Sequence, residues 1–216
     1  MKNKAKSVSM IGGADGPTSV FIAGKADKVS MLERIKRFHY KKKRSKVEKK
    51  VTANPHTLEE VIRYLQNKYG AVEVSRQSQD YVLQRKNLKA SLVMQHKPEL
   101  LGDMAEMEPS KGNTEKEISG FLEQLRQRTE KAENISEEEF PLEFHIYKIE
   151  IKEIGEVEIC MEKIWNNFGI SYSGKNDKMK ELKRIAKDIY LYYGVTKEDI
   201  QSRSMRYSAL VTMLCE

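Results

Sequence analysis

Cysteine is nearly absent: the 216 residues contain two, Cys160 and Cys215, far apart and without a C-x-x-C or Cys/His spacing. That excludes a disulfide-stapled secreted scaffold and a cysteine zinc site, and it fits a reducing compartment. Long apolar runs are missing as well. The longest windows, such as residues 20–23 or Leu210 and Val211, fall far short of the ~20 residues a helix needs to cross a bilayer. Lys2, Lys4 and Lys6 precede an apolar patch that Gly12, Asp15 and Pro17 interrupt at once, so no cleaved secretory signal is expected. A cytoplasmic location follows from these absences. Histidine is sparse too, and His39, His56, His96 and His145 form no pair at metal-ligand spacing. The one glycine-rich run lacks both the G-K-[ST] ending of a P-loop and the G-x-G-x-x-G spacing of a dinucleotide fold. We therefore expect no catalysis and no cofactor.

Charge is abundant. Charged residues make up 33% of the chain and apolar residues 39%, which describes a solvated, helix-rich surface. The net charge of +7 favours an anionic partner, whether nucleic acid, a membrane surface or an acidic protein, without choosing among them.

Near the N-terminus, the β-branched and apolar residues of 6–11 predict a strand. It leads into Ile11-Gly12-Gly13-Ala14-Asp15-Gly16-Pro17-Thr18-Ser19, whose composition demands a special backbone. After it, Pro17 either opens a helix over Val20 to Ala26, or Ser19 to Ala23 folds back on the first strand as a hairpin. Asp15, Thr18 and Ser19 offer hard oxygen ligands to a small cation; alternatively Asp15 bonds the local backbone of a tight turn. This GGADGPT run, with Val20 and Phe21, resembles the signature of the beta subunits of sodium-ion-translocating decarboxylases. The resemblance covers about residues 9–25 and implies a role for Asp15 in sodium handling. Where that family continues into membrane helices, this chain turns to Gly24-Lys25-Ala26-Asp27-Lys28. The resemblance thus implies local ion binding, or docking on a decarboxylase pump, rather than transport by this chain alone.

From Val29 to Val51, Met31, Leu32, Ile35 and Phe38 recur at helical spacing among Arg34, Lys36, Arg37, Lys41, Lys42, Lys43, Arg44 and Lys46. This predicts a basic amphipathic helix. Such a helix either engages phosphates or anionic lipid through its cations, or packs its apolar stripe on the core while its lysines stay wet. Phe38, His39 and Tyr40 add aromatic surface that can stack on bases.

Thr52 to His56 breaks the chain, dividing a 1–52 arm from a 53–216 body, with a further break near 102–113. In the body, Thr57 with Glu60 predicts a capped helix closed by Gly70, followed by a short strand over Ala71 to Val74. Two further helices are expected over Ser75 to Gln95, with its lysines and arginines in solvent, and from a Thr114/Glu117 cap to about Glu130. The acidic stretch Glu130 to Glu139 is a candidate contact for the basic arm. Leu142, Phe144 and Ile146 alternate with polar residues, then the phase slips at Tyr147 and Lys148, which predicts a bulge. A turn at Gly155-Glu156 and a second strand through Val157, Ile159 and Met161 complete a hairpin with one polar, uncovered face. Trp165 to Gly174 reads as a polar aromatic loop that either recognises a ligand or is anchored by ring packing. A helix over Asp177 to Tyr193 and a last one from Thr196 to Leu214 finish the chain. The expected fold is α+β, mostly helical, with one small antiparallel sheet covered by helices. The expected function is that of a non-enzymatic interaction protein whose basic arm meets an anionic partner.

Overall fold

In the computed structural model, which describes residues 6–11, 30–106 and 115–215, the chain runs β1 (Lys6–Ile11), α1 (Met31–Glu48), α2 (Leu58–Tyr69), β2 (Val72–Glu73), α3 (Gln79–His96), a 3-10 segment (Pro98–Met104) and α4 (Glu115–Glu133). It continues through β3 (Phe144–Ile151), β4 (Gly155–Glu162), β5 (Asn167–Gly174), α5 (Met179–Tyr193), α6 (Lys197–Ser202) and α7 (Met205–Cys215). The fold is α+β, as the alternation of helical and strand patterns requires. One antiparallel sheet has the order β1-β5-β4-β3-β2, so the β3-β4-β5 meander is its centre and the N-terminal strand its edge.

Helices cover both faces of the sheet, which corrects the one-faced hairpin expected from the sequence. On one face, Tyr147, Ile149, Val157, Ile159, Phe168 and Ile170 join Leu65 of α2, Leu182 and Ile189 of α5 and Val211 of α7 in the main core. On the other, Phe144 and Ile146 pack with Tyr81 of α3, whose hydroxyl donates to the Phe144 carbonyl at 2.8 Å. This two-sided burial also removes the expected bulge. Strands β3 and β4 pair residue for residue from Phe144↔Glu162 to Ile151↔Gly155. The apolar phase slips at Tyr147 because the covered face changes along the strand, while the backbone pairing stays in step. A third cluster, with Leu92, Val93, Leu101 and Phe140, fills the space between α3, α4 and the 3-10 segment.

Three further expectations change. The Trp165 to Gly174 loop is largely strand β5, whose Phe168, Ile170 and Tyr172 face the core while Gly169 and two serines hide the alternation in the sequence. Trp165 itself stacks on Phe140 at 4.6 Å and on His96 at 4.7 Å, an anchoring cluster. The last helix is two, because Arg203 takes a left-handed φ of 54° and ends α6. Finally, Lys89 of α3 is buried at 4% exposure. Its ammonium donates to the Ile135 carbonyl and to Glu137, which also receives Arg85 at 2.5 Å. The acidic stretch therefore answers α3 through Glu137; among the described residues, its cations there come from α3 rather than from the arm. The Thr114 cap lies outside the described residues.

The expected breakpoint near residue 52 is a seam. Asn54 donates to Val195 O at 3.0 Å and His56 to Tyr193 O at 3.1 Å, tying the chain before α2 to the end of α5. Gly194 is required there: with φ of 59°, an added Cβ would stand 1.9 Å from the Asn54 carbonyl oxygen.

Candidate anionic-partner interface

Helix α1 has two unlike halves. Toward its C-terminal end, Val47 packs against the main core, as does Val51 just beyond it, and the helix lies against α7. There Arg44 is half-buried and its Nε donates to Glu48 Oε1 at 2.9 Å, an i,i+4 pair that raises the guanidinium pKa. Toward the N-terminal end none of the described residues covers the apolar stripe. Met31 is 79% exposed, Leu32 72%, Phe38 64% and Ile35 45%. Of the two sequence readings for this helix, the described residues exclude the one in which the stripe packs on the core.

Helical geometry explains the split. At about 100° per residue, Met31, Ile35 and Phe38 share one side, whereas Val47 projects roughly 150° round from that stripe. A helix held to the body through Val47 therefore points the stripe outward. The cations surround it. Arg34, Lys36, Arg37, Lys41, Lys42, Lys43 and Lys46 are all exposed, and Arg44 alone of the eight predicted residues is engaged with a carboxylate that the structure identifies. Phe38 and His39 meet edge-on with centroids 6.0 Å apart, leaving Tyr40 at the same exposed end. Chemically this is a strip that can neutralise phosphates or carboxylates on its flanks while burying apolar carbon along its crest. Asp15, Thr18 and Ser19 lie outside the described residues, as does the choice between helix and hairpin after Pro17.

A second polar centre escaped the sequence reading. Asp188 Oδ2 on α5 accepts from Tyr64 at 2.5 Å, Tyr69 at 2.6 Å and Lys68 at 2.8 Å, all on α2. Partial burial opposes ionisation of Asp188, but these three donors together hold its pKa below the ordinary carboxylate range. Burial, reinforced by the same carboxylate, pushes the Tyr69 phenol up to about 12. Beside this hub Tyr64 stacks on Tyr192 at 3.8 Å, and Tyr192 on His56 at 4.1 Å, under an open groove of about 470 Å³ bordered by Arg63 and Asn67. Its donors and acceptor are mutually satisfied, which marks a clamp between α2 and α5. The signal available in the sequence was the Tyr64/Lys68 spacing of four; nothing there pointed to Asp188.

Compared with protein-family models, with curated proteins and with solved structures, the chain matches none. Among the described residues no helix is long and apolar enough to cross a membrane.

Proposed function

We propose that this chain is a non-enzymatic cytoplasmic interaction protein that engages an anionic partner through α1. The observation that carries the reading is the exposed cation set of Arg34, Lys36, Arg37, Lys41, Lys42, Lys43 and Lys46 on a helix anchored to the body by its other end. Exposed cations at this density attract phosphate or carboxylate surfaces and release their counterions. Free thiols at Cys160 and Cys215 are consistent with the reducing cytoplasm.

The test is a salt titration of the full chain against mixed RNA, DNA and anionic vesicles. If about four of these cations contact DNA phosphates, affinity falls roughly 100-fold between 50 and 200 mM salt. Replacing Lys41, Lys42 and Lys43 with glutamine flattens that dependence. Absence of binding to every anionic surface at low salt refutes the reading.

A further inference from the structure

The exposed stripe beside those cations carries information that charge alone does not. Building on the reading that α1 meets an anionic partner, we infer that the partner is an anionic lipid bilayer surface, on which α1 lies flat with Met31, Ile35 and Phe38 buried among the acyl chains.

Three observations select lipid. First, the uncovered residues are mainly aliphatic. Met31, Leu32 and Ile35 are 79%, 72% and 45% exposed, and such side chains gain little on a phosphate backbone, where recognition rests on charge, hydrogen bonds and ring stacking. In a bilayer interface they leave water altogether. Second, the charge is arranged for a headgroup layer. Arg34 and Lys41 flank the stripe on one side, and Lys46 on the other. All three are exposed, with stems long enough to rise to the phosphates while the crest sinks. Lys42 falls on the line of the stripe itself, one turn after Phe38. A closed protein groove that took up the stripe would have to bury that ammonium, whereas a fluid headgroup layer takes it in. Third, the body is out of the way. Val47, which fixes α1 to the core, projects roughly 150° from the stripe, so a plane can touch the crest without meeting the sheet or its helices.

The experiment uses the full chain and compares vesicles of phosphatidylcholine alone, vesicles with roughly 30% phosphatidylserine, and an RNA duplex, all at low salt. The expected result is co-sedimentation with the serine-lipid vesicles and weak or no binding to phosphatidylcholine. The double variant Ile35→Ser, Phe38→Ser is expected to lose at least ten-fold in vesicle affinity while melting like the parent, because both side chains are already in water. In a Phe38→Trp variant, emission shifts to the blue and is quenched by brominated acyl chains on binding; the native Trp165 in the parent is not. RNA binding without vesicle binding overturns the lipid inference and leaves the interaction reading standing. Binding to neither overturns both. Vesicle binding that the double variant retains in full, or emission of the Phe38→Trp variant that does not change on binding, also overturns the inference, since it shows charge adsorption with the stripe still in water.

Discussion

Removing the guanidinium of Arg206 should loosen the seam between α7, α5 and the approach to α2 more than any other single surface-proximal change. Its Nε donates to Gly194 O at 2.8 Å, and its Nη2 to His56 O at 3.0 Å and Tyr193 O at 2.5 Å. The guanidinium carbon sits 3.6 Å from the Tyr193 ring centroid. The side chain is 15% exposed, so these carbonyls would be only partly rehydrated without it. Hydrogen bonds to a charged donor contribute about 1.5–3 kcal/mol each, and a cation over a ring ~0.5–2. The simple sum overshoots, because Tyr193 O also accepts from the His56 amide and because terms within one network do not add. Asp199, 3.9 Å away, keeps Thr196 and Ser204 as donors in either case. Counting the Gly194 and His56 bonds fully, Arg206→Met should cost about 3–4 kcal/mol. Arg206→Lys should cost about 2, since an ammonium keeps the charge but cannot span three carbonyls and stack at once. At this chain length each kcal/mol lowers Tm by about 2–4 °C, so roughly 10 °C for Met and 5 °C for Lys. Urea unfolding followed by circular dichroism and calorimetry measures both. A methionine variant within 1 kcal/mol of the parent, or a lysine variant equal to arginine, would refute the reasoning.

Two other measurements bear on groups whose protonation the fold controls. Asp188 has a lowered folded pKa against an ordinary value of 3.8, so its contribution to stability is present above about pH 4 and is lost as pH falls through the folded value. Asp188→Asn should therefore be less stable than the parent at neutral pH and converge on it in acid; a stability gap that stays constant from pH 6 to pH 3 contradicts the clamp. Burial pushes the Cys160 thiol up to about 12 and raises that of Cys215 as well. At pH 8 only about one Cys160 in 10,000 is thiolate. Ellman's reagent should label neither residue in the folded chain and both in denaturant, and labelling of the folded protein at the rate of a free cysteine would show the burial to be wrong.

What the sequence made legible was local chemistry. The Thr57/Glu60 and Thr196/Asp199 boxes are present with both reciprocal bonds, because each is complete within four residues. Gly70 and Gly194 end their helices with positive φ, as residues without a Cβ can. The apolar face of α5, with Leu182, Ala186 and Ile189, was plain from its 3.6-residue period. Partners brought together by the fold were invisible. Arg206 and His56 stand 150 residues apart, and Asp188 finds three donors on a helix more than a hundred residues earlier. The strand β5 was hidden because Gly169, Ser171 and Ser173 make its outer face resemble a loop, whereas β3 was legible as a strand and only its expected bulge is missing, because burial on both sides breaks the alternation that marks a half-exposed strand. The cations of the candidate interface could be named from the sequence, whereas the side of α1 that meets the body could not. Its apolar residues fall in two groups about 150° apart, and only the anchoring at Val47 decides which group remains in water.

That anchoring has an energetic consequence for the interface. An isolated helix shorter than about 12–15 residues is marginal in water, since nucleation fixes several dihedrals for a single hydrogen bond. Residues Met31 to Tyr40 make none of the core contacts that Val47 makes, so their helicity depends on propagation from the packed end. Like charges four residues apart, Arg37 with Lys41 and Lys42 with Lys46, oppose that propagation by mutual repulsion, while Glu48 relieves Arg44. The proposed anionic surface would remove that repulsion along the same residues whose apolar crest it covers. Binding would then add stability to the N-terminal half of α1, so the helicity of Met31 to Tyr40 should rise with vesicle binding.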